Sequence, residues 1–329
     1  MAQKHASSRP FFPRSAVLHG VALSALLAAP LAHADEAGSP RFAGGLVTPG
    51  PTLPQGMLNV EPYLINSRAD KAWDNDGHTQ RRNAPDQWRM VVPIQYGVHE
   101  RVTLGATLNA YYNRDAHNNR ALDIGDTGLV ALFGLYRSDA PSQGTVTLAL
   151  RQGITTGHHD RLEERRISVA SGNGASTTVI GLHGQAYFMD GRLRARASTA
   201  WRIPGATAGV RGQSGFGTTP GFDGRVRLGA ALESSVSAEY SLSPQWVLVG
   251  ELLHERESGL SVHGTRGTTA AARTEVYRRD PAGWRFSVLP AVQYHFSDQL
   301  AVLFGAQIAL AGRNTSQVVA PQVAVNMAF

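Results

Sequence analysis

Apolar and polar residues alternate along this chain in twelve separate stretches, the period-two pattern of strands whose two faces meet different solvents. Over 88–96, Trp88, Met90, Val92, Ile94 and Tyr96 share one face while Arg89 and Gln95 share the other. Over 101–113 the apolar face is Val102, Leu104, Ala106, Leu108, Ala110 and Tyr112, with Arg101, Thr103, Thr107 and Asn109 opposite. The same reading predicts strands at 56–66, 125–137, 145–155, 176–189, 192–203, 225–240, 246–257, 284–296, 300–311 and 318–329. Long connections (67–87, 114–124, 156–175, 204–224 and 258–283) alternate with short turns, and Asp190-Gly191 suits a two-residue hairpin. Together these predict a 12-stranded antiparallel transmembrane β-barrel over 56–329, with short periplasmic turns and long extracellular loops.

Aromatic residues give an independent check. Trp88, Tyr112, Trp201 and Trp284 fall at the predicted outer strand ends, and Tyr96, Tyr240, Trp246, Phe296 and Phe329 at the inner ends. Amphipathic rings favour the two membrane interfaces, so a barrel is expected to sort them this way.

The N-terminus places that barrel. Lys4, Arg9 and Arg14 precede an apolar run at 16–29, and Ala32 and Ala34 flank a small-residue cleavage site. Residues 1–34 therefore read as a secretory signal peptide, the run being short for a membrane span. Residues 35–55, rich in Gly and Pro, read as an extended entry segment. Export and a barrel together point to the cell outer membrane, with its lipid and lipopolysaccharide as surroundings. Phe329 would close the strand that barrel-assembly machinery reads.

Loss of residues 1–34 removes three basic residues and no acid, taking the formal net charge from +6 to +3. The remaining Arg residues are spread along strands, and Lys71 is the only lysine after the signal, so no nucleic-acid partner is expected. The absence of Cys excludes disulfides and thiolate chemistry. No cofactor is expected.

With the apolar face toward lipid, the other face lines the lumen. Inward residues are then Arg89, Arg151, Arg192, Arg194, Arg196, Arg202, Arg225, Arg227, Glu233, Glu239, Glu251, Glu255 and Arg285. Either the Arg set favours anionic solutes, or Arg and Glu pair and fill a narrow barrel. The selectivity candidates are Arg151, Arg192, Arg194, Arg196, Arg225, Arg227, Glu233 and Glu251. His158 and His159 with Asp160 offer metal-ligand chemistry without a fixed third ligand, so no metal is expected. Asp74 and Asp76 could serve hydrolysis or bind cations at the outer rim, but no nucleophile motif accompanies them, and no enzyme is expected.

Three segments carry a resemblance. Gly50 to Tyr63 (GPTLPQGMLNVEPY), Asp123 to Gly128 (DIGDTG) and Ile154 to Gly157 (ITTG) resemble the barrel proteins grouped as components of the meta pathway of phenol degradation. Thr155 departs from that family's more frequent Pro-Thr-Gly. The resemblance implies an outer-membrane transporter for a small, aromatic or hydrophobic solute, and brings no binding residues with it. The leading expectation is a channel for small solutes. A non-conducting barrel whose outer loops bind a partner, and a surface hydrolase, are the alternatives.

Overall fold

The structure, a computed structural model, describes residues 40–82, 86–114, 120–138, 144–165, 169–205, 207–267 and 272–329. The signal-peptide expectation for 1–34 lies outside them. In chain order the strands are β1 (Leu58–Val60), β2 (Tyr63–Trp73), β3 (Thr79–Arg81), β4 (Asp86–His99), β5 (Val102–Arg114), β6 (Arg120–Ile124), β7 (Thr127–Arg137), β8 (Thr145–Ile154) and β9 (Thr177–Phe188). They continue with β10 (Leu193–Pro204), β11 (Ala208–Arg211), β12 (Phe222–Arg227), β13 (Ala231–Ser241), β14 (Trp246–Glu257), β15 (Ser261–Arg266), β16 (Thr274–Arg279), β17 (Gly283–His295), β18 (Leu300–Arg313) and β19 (Thr315–Ala328).

Twelve staves close into an antiparallel barrel. β1 and β2 share the first stave, and β19 pairs with both to seal the cylinder. The first stave breaks at Glu61-Pro62, directly across from Pro93 of β4. Pro62 and Pro93 each lack a backbone N–H, so only their carbonyls take part in the ladder there, accepting from Val325 and Glu61 N–H groups at 3.1 Å each, and the register is kept.

Closure removes the edges of the barrel wall itself, which leaves each stave with only an outer and an inner face. Outside, large apolar residues such as Leu104, Leu108, Leu129, Leu182, Val236, Leu252 and Phe304 stand exposed around the wall. Trp88, Tyr112, Trp201 and Trp284 are exposed at the loop end, and Tyr96, Tyr240, Trp246, Phe296 and Phe329 at the turn end. These are the two girdles the sequence predicts. Inside, polar side chains are buried, among them Thr103, Thr147, Glu239, Glu251 and Gln293.

Two departures from the predicted strands matter. The β18–β19 connection is the single residue Asn314, at φ 50, tighter than the expected loop 312–317. The predicted strand 225–240 is two elements. Its first residues belong to β12, in a separate four-stranded sheet of order β11-β12-β15-β16. These four continue β10, β13, β14 and β17 beyond the barrel, so the second sheet stands on the loop end as a cap. At the waist, a Cβ on Gly229 would lie 1.8 Å from the Ser258 carbonyl oxygen, so only glycine lets the strands step across. The cap has its own core of Ala175, Ala208, Val210, Phe222, Val226 and Val262.

Candidate functional site

The lumen holds the N-terminal segment. Arg41 pairs with Asp298 at the turn end, and the Phe42 ring lies 4.8 Å from the Arg194 guanidinium. Gln293 grips the next residues, accepting from Ala43 N–H at 3.0 Å and donating to the Gly44 carbonyl at 2.5 Å. At mid-barrel the Glu251 carboxylate accepts the backbone N–H groups of Leu46, Val47 and Thr48 at 2.6, 3.0 and 3.1 Å. Thr48 Oγ1 donates to Ser235 Oγ at 2.9 Å. The Leu46 side chain packs against Leu253, Leu289, Leu303 and Ala324. A Cβ on Gly45 would sit 1.7 Å from Glu251 Oε1, so a side chain here would push the Glu251 carboxylate off the backbone it holds. The segment then crosses to the opposite wall, where Leu53 N–H donates to Thr103 Oγ1 of β5 at 2.8 Å. It leaves through Gly56 N–H to the Gly97 carbonyl, entering β1.

An extended Gly/Pro segment has no internal partners for its N–H and C=O groups, and in a barrel interior each must find one. Glu251, Gln293, Ser235 and Thr103 supply them. The entry segment is thus a plug held by lumen side chains.

The candidate selectivity residues separate into groups. Arg194 and Arg196 do line the lumen, both on Glu239, with closest contacts of 2.7 and 2.8 Å. Arg151 lies within electrostatic reach of Glu233, as do Arg202, Arg285 and Glu255. Arg285 is bidentate on Glu255 at 2.8 and 2.7 Å, and Arg202 reaches Glu257 at 2.7 Å. Arg194, Arg196, Arg202 and Arg285 each form an ion pair with a glutamate, as the second of the two sequence readings has it, whereas Arg151 and Glu233 form none among the described residues. Glu251 is occupied by the plug.

Three candidates are elsewhere. Arg192 is exposed in the β9–β10 hairpin, its N–H donating to the Met189 carbonyl at 3.0 Å. The turn runs over 189–192, one residue longer at each side than Asp190-Gly191, which leaves Arg192 outside the strand. Arg225 and Arg227 are exposed on β12, because the chain crosses the waist at Gly229 before the barrel resumes. Phe329, the expected assembly signal, is exposed at the turn end and exchanges two backbone hydrogen bonds with Leu58, at 2.8 and 3.0 Å.

At the loop end, residues 156–165 and 169–175 of the long connection dock between the cap edge and the barrel. Arg161 and Leu162 N–H groups donate to the Arg211 and Gln213 carbonyls at 2.9 and 3.0 Å. Its other side is fixed to the barrel by two carboxylates. Asp126 accepts from Gly157 N–H at 3.0 Å and Asn173 N–H at 2.8 Å. Asp123 accepts from Ser171 Oγ at 2.9 Å and Arg165 at 3.2 Å, and meets His158 Nδ1 at 3.0 Å. Thr156 Oγ1 donates to the Gly125 carbonyl at 2.7 Å. The motifs DIGDTG and ITTG, set apart in sequence, therefore form one clasp. Thr156 and Gly157 make its contacts.

Beneath this clasp lies a cavity of about 290 Å³, reached by Arg89, Asn109, Tyr111, Asp126, Asn173 and Phe216. Arg89 donates to Asn109 Oδ1 at 2.8 Å, and its guanidinium lies 5.6 Å from the Tyr111 ring centroid. Phe216 comes from the cap, while Arg89 and Tyr111 come from staves across the barrel mouth. The sequence reading placed Arg89 and Asn109 on inward faces of neighbouring strands, where Tyr111 is the register partner of Arg89 across β4 and β5, but gave no sign of Phe216, which the cap brings in.

Asp123, His158 and Ser171 meet, but not as a nucleophilic triad. Ser171 Oγ donates to the aspartate and accepts the His158 backbone N–H at 3.0 Å, so no imidazole stands ready to take its proton. His159 turns away, with Nε2 2.8 Å from the Gly209 carbonyl oxygen, and Asp160 accepts from Arg211 N–H, so these three do not share an ion. Among the described residues, Asp74, Asp76 and His78 do cluster. Asp74 Oδ1 accepts the His78 and Asp76 N–H groups, each at 2.9 Å, and these bonds hold its carboxyl below the usual range. It works as a turn cap.

No protein-family profile matches the chain, and no curated protein matches it. Among solved structures, an outer-membrane channel from Pseudomonas putida F1 superposes with a TM-score of 0.64 at 14% identity, covering 86% of this chain and 100% of that one. The fold is shared. The NanC porin (TM-score 0.44, 8% identity, 82% of this chain and 98% of that one) and the TodX monoaromatic hydrocarbon channel (0.40, 10%, 84% and 90%) superpose too loosely to speak to strand number or lumen.

Proposed function

We propose that the chain is an outer-membrane channel for small solutes, exported by a cleaved signal peptide, in which the plug at 41–54 sets the resting conductance. The observation that carries this is the inversion of an ordinary protein: apolar residues outside, paired charges and an extended chain segment within. A charge on the lipid face near the midplane costs a few kcal/mol, and the wall carries none there among the described residues. The cavity under the cap gives a solute its first site, with a guanidinium and two aromatic rings on its walls. That combination suits a small aromatic solute with a polar edge, in line with the phenol-pathway resemblance. Catalysis has no place in this reading.

The test is reconstitution in a planar bilayer. Discrete conductance steps, shortened or blocked by aromatic carboxylates added on the loop side, are expected. A barrel that inserts and never passes current, with native or altered plug, would favour the second reading, a surface receptor. The self-contained core of the cap is the observation on that side.

A further inference from the structure

Arg256, Trp284 and Arg313 are register partners across β14, β17 and β18, so the three side chains stand in one row on the outside of the wall. His254 joins them on β14, its ring 6.3 Å from that of Trp284. Together with Asn75 and Asn314 they line an outward-facing cavity of about 560 Å³, just past the apolar belt on the loop side. A second cavity shares Arg256 and adds Arg279. Arg256, Arg279 and Arg313 are all exposed, and among the described residues no carboxylate pairs with any of them. Arg313 is steadied by a hydrogen bond to Asn75 Oδ1 at 3.1 Å.

We infer that this row is a binding site for the phosphorylated glycolipid of the outer leaflet. The inference rests on the proposed outer-membrane placement and adds a specific ligand to it. Trp284 sits at the interface level, where a lipid headgroup meets its acyl chains. Directly below it, exposed Leu252, Leu310 and Phe304 offer an apolar wall for those chains. Guanidinium groups match phosphate oxygens two at a time, whereas lysine offers only a point charge. Three unpaired Arg side chains on a lipid-facing surface call for an anionic partner, and a headgroup held at this height is the one that also brings chains to the belt.

Full-length protein in detergent micelles, mixed with bis-phosphorylated hexa-acyl lipid A and read by native mass spectrometry, tests the site. A retained one-to-one adduct is expected. Dephosphorylated lipid A, or the R256Q/R313Q double variant with the phosphorylated lipid, should bind about tenfold or more weakly. R137Q, at the turn end, controls for bulk charge and should bind as the native chain does. Inorganic phosphate at equal concentration should not displace the lipid. The inference is overturned if both lipids bind alike, if R256Q/R313Q binds undiminished, if inorganic phosphate competes equally, or if the face instead seats a second copy of the chain. Liposome flotation of the same variants separates the cases: a barrel that fails to insert overturns the placement itself, whereas one that inserts but ignores the substitutions overturns only the lipid site.

Discussion

Glu251 and Glu239 face the same lumen from paired strands, Glu239 two residues from Ser237, the register partner of Glu251, yet they do different work. Glu251 accepts three backbone N–H groups of the plug, and hydrogen bonds to a charged group contribute about 1.5–3 kcal/mol each. Glu251→Gln keeps the shape and removes the charge. The expected outcome is faster amide exchange at Leu46 and Thr48, by about tenfold or more, with the barrel amides unchanged. Glu239 instead neutralises Arg194 and Arg196, both buried. Glu239→Gln leaves two guanidiniums without a counter-charge and should lower barrel stability by about 3–5 kcal/mol, read as a lower thermal transition in detergent. Arg225→Gln and Arg227→Gln on the exposed cap face should change stability by no more than about 0.5 kcal/mol and leave ion selectivity as it was.

At the scale of the element, the clasp is the testable unit. Asp126→Asn turns one carboxylate oxygen into a donor, which can no longer receive both the Gly157 and Asn173 N–H groups. Amide exchange at those two residues should rise while β7 and β8 stay protected. Unchanged exchange would mean the loop is held by the cap alone. The strands themselves were legible because oil and water alternate along each one: the prediction 246–257 coincides with β14, and 145–155 differs from β8 by a single residue. Alternation reports that two faces differ, but not which surfaces they meet. That is why 225–240 read as one strand, although Gly229 hands the chain from cap to barrel. The plug was illegible for another reason. Its partners lie some two hundred residues away, as with Thr48 and Glu251, and a Gly/Pro segment carries no pattern that names them.

For the whole molecule, every inward and outward position is fixed by closure, and the absence of cysteine makes each one addressable. A single Ser198→Cys should react with a water-soluble thiol reagent in the membrane-inserted barrel, and a single Leu252→Cys should not. The claim on which the rest depends is that the N-terminal segment controls the path through the barrel, and a reversible lock tests it. Thr48→Cys with Ser235→Cys joins plug to wall where the native hydroxyls are 2.9 Å apart. Single-channel current through this double variant in a planar bilayer should stay low when oxidised and rise on adding reductant, toward the level of the native chain. Equal currents in both states, with the cross-link confirmed by mass, would contradict the account.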